Sequence, residues 1–222
     1  MTNILNIIIP LAGPDIYDEK INIRYLKEVN NTFYIKYCID NRFYNNPNYE
    51  IKYHFIILES IIKKQLIKKL EENLNIENIY ILENVQKGAA YTIQSFLNNY
   101  GEMKNFFVDL SDVIFDGGDL DFSHVGAQAY YYTSKNKNHS YFIMKDNKIL
   151  DSKEKKVISS NASVGLYYFS SSEIFFQGIN KTIKNRNNFY KKNLFLSSLY
   201  SKECNYEKIG YKCDNVKLIY SL

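Results

Sequence analysis

Four short apolar runs, at residues 5–11, 53–58, 79–82 and 105–110, alternate with segments of helical periodicity. That alternation limits the fold more than any other feature of the chain. The first run, Leu5-Asn6-Ile7-Ile8-Ile9-Pro10-Leu11, is almost continuously branched and apolar, as expected of a central strand covered on both faces. Residues 32–44 read as a helix stopped by Asn45-Asn46-Pro47. Ser60 caps a second helix, whose buried stripe is Ile62, Leu66, Leu70 and Leu74. A third helix covers 89–97, just beyond Gly88. Strands and helices in strict alternation predict an α/β fold with a mixed, mostly parallel sheet and helices on both faces.

Beyond Asp121 the rhythm changes. Strands are expected at 127–133, 140–145, 148–151 and 162–169, with Asp146-Asn147 as a tight hairpin turn. Ser170-Ser171-Ser172 caps a helix running to about Lys184, with Glu173 in its first turn. A short helix at 194–200 and short strands near 208–211 and 216–219 complete the expectation. Neither repeat nor linker interrupts the pattern. One continuous domain over 1–222 is therefore expected, with a more antiparallel portion in about 122–222.

Composition excludes several classes. With 222 residues, 45% of them hydrophobic and 16% aromatic, the chain has material for one well-filled core and is no disordered segment. Its net charge of +4 comes from lysines scattered among glutamates and asparagines. That is a solvated face, mildly attractive to nucleotides or sugar phosphates, without the basic stripe that nucleic acid requires. Cys38, Cys204 and Cys213 form no C-x-x-C pair, so free thiols in a reducing cytosol are expected. No apolar run approaches membrane-spanning length, and the first apolar run lacks a basic region before it, so it reads as a strand rather than a signal peptide.

The chemistry concentrates where strands end. Phe106-Phe107-Val108 leads into Asp109-Leu110-Ser111-Asp112, followed by Asp116, Gly117, Gly118, Asp119 and Asp121. In an open α/β sheet this edge is where metal and phosphate chemistry is placed. Asp112 is the preferred metal ligand, since a carboxylate suits a hard Mg²⁺ ion that bridges nucleotide phosphates. Asp109, nearer the buried end, is expected to orient the loop, and the later aspartates read as solvated turn residues. Gly13, after Leu11 and Ala12, lets the backbone approach a phosphate or base, an ordinary turn being the plainer alternative. Arg24 and Lys27 carry positive charge between the first strand and first helix, with solvated surface as the alternative. Gln86-Lys87-Gly88-Ala89-Ala90 leaves room for a base or phosphate at a helix start, or merely permits close packing. Glu154-Lys155-Lys156 offers a lysine to a substrate phosphate and a glutamate to hydroxyls, or is only a polar hairpin tip. Gly165 inside a strand signals backbone close to a ligand or a bulge. No P-loop pattern exists.

Taken together, these pieces resemble the nucleotidyltransferase superfamily, in particular small bacterial sugar-phosphate nucleotidyltransferase-like proteins of surface-polysaccharide loci. Residues 6–13 match the opening strand and nucleotide loop, Lys87 to Thr92 the base-side loop, and Leu110-Ser111-Asp112 the strand-end metal aspartate. Glu154 through Asn161 to Phe169 matches the sugar-phosphate segment, and Asn188-Phe189-Tyr190 the stretch before the late helix. The resemblance implies a Rossmann-like domain that joins an NTP-derived NMP to a sugar phosphate or similar small phosphorylated metabolite and releases pyrophosphate. It implies NTP as co-substrate, Mg²⁺ (or Mn²⁺) as cofactor, a cytoplasmic setting and a homodimer. By the same resemblance Leu11, Ala12, Gly13, Lys87, Gly88 and Ala89 bind nucleotide, and Glu154, Lys155, Asn161 and Gly165 bind substrate. Catalysis falls to Asp112, Lys155 and Arg24, the last standing where the family has a lysine. Pro14 follows Gly13 where a further glycine is usual, and a second metal carboxylate near the C-terminus has no good counterpart. Two alternatives stay open: a nucleotide-binding protein of the same fold that has lost turnover, and a glycosyltransferase using Asp109 and Asp112 as a D-x-D-like pair.

Overall fold

A computed structural model describes residues 3–13, 28–40, 42–45, 48–60, 63–185 and 190–218. The elements run β1 (Asn3–Leu11), β2 (Glu28–Val29), β3 (Thr32–Phe33), α1 (Tyr34–Asp40), β4 (Tyr49–Leu58), α2 (Lys63–Asn73), β5 (Ile76–Leu82) and α3 (Ala89–Tyr100). They continue with β6 (Lys104–Asp109), β7 (Val113–Gly117), β8 (Gly126–Thr133), β9 (Tyr141–Lys145), β10 (Lys148–Lys153), β11 (Asn161–Ser171), α4 (Ser172–Lys184), a 3-10 turn (Leu196–Tyr200) and β12 (Glu207–Leu218).

Strands β5, β4, β1 and β6 pair in parallel, in that order, as the β-α-β rhythm requires. The apolar continuity of β1 has a direct cause. Ile8 points into the core shared with α3 and α4, whereas Leu5, Ile7, Ile9 and Leu11 point into the core under α1 and α2. Strand β6 splits likewise, with Phe106 and Val108 on the first face and Phe107 on the second. At β11 the sheet turns antiparallel, pairing with β6 on one side and β8 on the other. It then continues through β12 and β10 to β9, which meets β11 again at Tyr141 and Ala162. The second half thus closes on itself through β9 and β11, with β12 running parallel to β8.

Several expectations are adjusted. Thr32 and Phe33 pair with β2, so α1 is only Tyr34–Asp40. The chain leaves the helix there because the Arg42 and Tyr44 side chains are drawn to Asp109, as described below. Val113–Gly117, read as loop, is strand β7 against β12; its outer half, Asp116 and Gly117, is exposed, which hides the strand pattern. The two short C-terminal strands are one, β12, with a register shift between Asp214 and Lys217 and Asn215 at φ 50°. The hairpin turn at Asp146 and Asn147 holds, with φ of 48° and 62°, the left-handed pair of a type I′ turn. Ser171 caps α4 by accepting from the Ile174 amide. Ile62 and residue 219 lie outside the described residues. The three cysteines are buried and free, and no helix among the described residues is long and apolar enough to cross a membrane.

One buried polar group in the parallel half makes a measurable demand. His54 of β4 bonds through Nε2 to the side-chain oxygen of Asn6 at 3.0 Å, while Nδ1 faces no partner among the rings of Phe96 and Tyr100. Burial pushes its pKa down to about 4 from 6.5. The unfolded chain therefore takes up a proton at a pH where the folded chain does not. Stability is fully present above pH 6.5 and is lost as pH falls toward 4, by a loss on the order of 3 kcal/mol. Urea unfolding across that window is expected to show a steeper pH slope for the native chain than for His54→Gln; equal slopes would refute the assignment.

Candidate functional site

Because β1, β4, β5 and β6 are parallel, their carboxyl ends share one edge. Gly13, the Lys87–Ala89 stretch and the Leu110–Asp112 loop all follow from it. The loop after β6 is shaped by Asp109, which is buried together with Arg42, their side chains 1% and 0% exposed. Arg42 donates from Nε to Oδ2 at 2.7 Å and from Nη2 to Oδ1 at 3.1 Å, and Tyr44 donates its hydroxyl to Oδ2 at 2.9 Å. The Ser111 amide donates to Oδ1 at 2.8 Å, which closes a tight turn and fixes Ser111 at φ 51°. Burial pushes the Asp109 carboxyl up, but the Arg42 guanidinium and these hydrogen bonds outweigh it and hold its pKa below the ordinary value. The guanidinium also lies 4.1 Å from the Phe115 ring centroid, a favourable cation–π contact.

With both its oxygens bonded inside the fold, Asp109 serves the loop's shape, and Asp112 is the carboxylate that the loop carries to the cavity. Asp112 is half-buried and sits against Gly165 of β11. A Cβ added at Gly165 would stand 3.0 Å from Asp112 Oδ1 and 3.4 Å from Leu110 Cβ, and the residue holds φ 80°. The β11–β8 register shifts between Ser163 and Tyr167, so Gly165 lies in a bulge that makes room for the aspartate.

A cavity of about 220 Å³ opens here. Ala89, Leu110 and Asp112 line it from the parallel half; Glu154, Lys155, Ser163 and Gly165 line it from the antiparallel half, with His139, Ser140, Phe195 and Ser197 completing the wall. Of the residues expected at the site, Ala89, Asp112, Glu154, Lys155 and Gly165 are therefore together. Gly13 lies at the same sheet edge but not on this wall, and a Cβ there would meet no atom of the described residues within 4 Å. Leu11 and Ala12 are buried behind it. Gly88 is fixed by packing: its φ is 106° and a Cβ would stand 2.3 Å from the Leu194 carbonyl oxygen, which accepts from the Ala90 amide. Lys87 is exposed, and its carbonyl accepts from the Leu194 amide at 2.8 Å. Asn161 is not on the wall; its side chain donates to the Phe142 carbonyl. Arg24, Lys27, Asn188 and Phe189 lie outside the described residues.

Glu154 is held by the hydroxyls of Ser140 and Ser197. Burial raises its pKa above the ordinary value, against the pull of the two serines and Lys155. Among the described residues no three His, Cys, Asp or Glu side chains gather to cage a metal. A magnesium ion needs no such cage when phosphates supply the other ligands, and a single aspartate on a polar cavity fits that role.

The same arrangement of strands and helices occurs in solved proteins. The chain superposes on a nucleoside-diphosphate-sugar pyrophosphorylase from Vibrio cholerae with TM-score 0.75 at 14% identity, covering 97% of this chain and 94% of that one. The fold is that of the nucleotidyltransferases. An inositol-1-phosphate CTP transferase from T. maritima aligns with TM-score 0.67 and 14% identity over 97% and 87% of the two chains. A CTP:phosphocholine cytidylyltransferase from Streptococcus pneumoniae aligns with 0.66 and 12% over 99% and 94%. No family model and no curated protein matches the chain in sequence.

The buried pair generates an expectation. Asp109→Ala leaves the Arg42 charge buried without its partner, at a cost of roughly 3–5 kcal/mol. Asp112→Ala, at a half-buried position, is expected to cost far less. Chemical denaturation of both variants checks this, and equal losses would show that Asp109 does not organise the loop.

Proposed function

We propose that the chain is a nucleotidyltransferase that joins the NMP of an NTP to a sugar phosphate or similar small phosphorylated metabolite, for capsule or envelope polysaccharide synthesis in the cytoplasm. One nucleotidyltransferase-like domain spanning 1–222 carries this activity. The observation that supports it most is the meeting of Asp112, Ala89, Glu154, Lys155 and Gly165 on one cavity at the carboxyl edge of the parallel strands. Packing accounts for Gly165 beside Asp112, but it gives no reason for Asp112 and the Glu154–Lys155 pair to face one cavity from separate stretches of sequence.

In the reaction, an oxygen of the acceptor phosphate attacks the α-phosphorus in line, the bond to the bridging oxygen breaks, and pyrophosphate leaves with that electron pair. No protein nucleophile takes part, so positioning and charge neutralisation are what the chain contributes. Lys155, exposed at the cavity mouth, pairs with the acceptor phosphate. Asp112 holds the Mg²⁺ (or Mn²⁺) ion, which neutralises phosphate charge when bound. Gly13 and the Lys87–Ala89 stretch border the nucleotide, and Arg24 supplies positive charge to its phosphates. The glycosyltransferase alternative loses its second ligand, because Asp109 is already bonded to Arg42, Tyr44 and Ser111.

Incubation with each NTP, Mg²⁺ and a panel of hexose 1-phosphates, polyol phosphates and phosphocholine is expected to release pyrophosphate with at least one pair. Asp112→Asn is expected to lower kcat by about 10²–10³-fold while the protein stays folded. Silence across the panel from folded, metal-supplied protein defeats the proposal.

A further inference from the structure

Two rings, not an anion, orient the Lys155 ammonium. It lies 5.6 Å from the Tyr190 ring centroid and 5.9 Å from that of Phe195. The rings meet edge to face, with centroids 6.2 Å apart and planes at 68°, so they form a corner around the ammonium. Lys155 makes no ion pair among the described residues. Glu154, its neighbour in sequence, is held instead by the hydroxyls of Ser140 and Ser197. The backbone braces the corner. Tyr190 and Asn193 exchange amide–carbonyl hydrogen bonds of 3.2 and 2.9 Å around Lys191 and Lys192, whose φ are 48° and 65°. Asparagine or glycine is usual in such a left-handed turn, so two lysines adopt it at a backbone cost. Leu194 follows, its amide donating to the Lys87 carbonyl at 2.8 Å and its carbonyl accepting from the Ala90 amide at 3.2 Å. That ties the corner to the start of α3. Lys155 is itself left-handed, at φ 49°.

We propose that Tyr190 and Phe195 are positioning residues whose ring faces hold the Lys155 ammonium at the cavity mouth and leave its charge open to the phosphate of the acceptor. This rests on the transferase reading and deepens it. A carboxylate would also orient a lysine, but it would neutralise the ammonium and compete with the phosphate. An aromatic face attracts a cation through its quadrupole and carries no net charge. Without the rings, an exposed lysine keeps its rotamer freedom until phosphate binds and must give it up then. The corner removes part of that cost beforehand. Phe195 and Lys155 both line the cavity, so the corner stands where an acceptor enters. The Lys191 ammonium, 5.6 Å from the same Tyr190 centroid, adds to the positive potential that draws an anion there. Left-handed backbone at residues 155, 191 and 192 suits a fixed corner; a solvated hairpin tip has no use for it.

The test follows Lys155 and then the acceptor, in the full chain. By NMR the Lys155 ε-methylene protons, identified by their absence in Lys155→Gln, are expected upfield of those of the other lysines through the ring currents. They are expected to return in a Tyr190→Leu/Phe195→Leu double variant. With an NTP and acceptor that the chain turns over, that variant is expected to raise KM for the acceptor about five- to tenfold, with kcat and the KM for NTP within about twofold. Tyr190→Phe keeps the ring face and is expected to behave as the native chain. Leucine keeps apolar bulk, so lost packing alone would lower the melting temperature without singling out the acceptor. If the double variant melts too low to assay, Tyr190→Leu and Phe195→Leu are measured singly, at about two- to threefold each. Where no pair yields pyrophosphate, titration with inorganic phosphate decides. Phosphate affinity about fivefold weaker in the double variant upholds the corner while the transferase reading falls, and a native chain that binds neither phosphate nor acceptor defeats both. The corner is overturned by a Lys155 resonance at the ordinary lysine position, by Tyr190→Phe as impaired as the leucine variants, or by acceptor KM and phosphate affinity that the double variant leaves unchanged.

Discussion

The site depends on a buried ion pair that does not itself line the cavity. Asp109 ends β6 inside the protein, where an isolated carboxylate would be costly, and Arg42 reaches it across 67 positions of sequence with two hydrogen bonds. Tyr44 and the Ser111 amide fill the remaining acceptor positions. One guanidinium nitrogen, Nη1, has no hydrogen-bond partner among the described residues, and the ring of Phe115 beneath the guanidinium offsets part of that loss. Two consequences follow. The chain from Arg42 to Asn45 cannot continue α1, because Arg42 and Tyr44 are committed to the strand end. The turn at Ser111 is set by a carboxylate rather than by glycine, so the direction in which Asp112 leaves the sheet is fixed by the same charge that anchors the loop.

A second constraint comes from β11, the seam between the parallel and antiparallel halves. A regular strand there would carry a side chain into Asp112. Gly165 and the register shift around it remove that side chain and turn the strand's backbone toward the loop. The Leu110 amide donates to the Gly165 carbonyl at 3.0 Å, so loop and bulge hold each other. The cavity is thus the gap left where two kinds of sheet join, with Asp112 presented from one side and Glu154 and Lys155 from the other.

How much of this the sequence made legible follows from the range of the interactions. Strand β1 and its neighbours were readable because their apolar continuity is local, and the hairpin at Asp146-Asn147 because turn chemistry is local. Asp112, Glu154, Lys155 and Gly165 stood out because each interrupts or ends a strand in a way packing alone does not ask for. Arg42 gave no such signal: an arginine near a helix end looks like surface, and only the fold brings it to Asp109. Ser140 and Ser197 were hidden for the same reason, since a serine becomes informative only when the carboxylate it serves is known. Strand β7 was missed because its last two residues are exposed, and that aspartate and glycine mimic a turn. Gly88 was legible as special, but its cause is the Leu194 backbone lying against the start of α3.

These constraints explain how a chain can share an arrangement of strands with proteins only 12–14% identical to it. The two-faced strands ask only for apolar bulk, which Ile, Phe, Tyr and Leu supply interchangeably at modest cost. Far fewer positions have no substitute of similar size and chemistry: a carboxylate at Asp109 with its buried cation, the missing side chains at Gly88 and Gly165, and the charged groups facing the cavity. The first three are demands of the fold on itself. Glu154 is different. Burying a carboxylate against two serines lends little to the fold that apolar residues would not lend more cheaply.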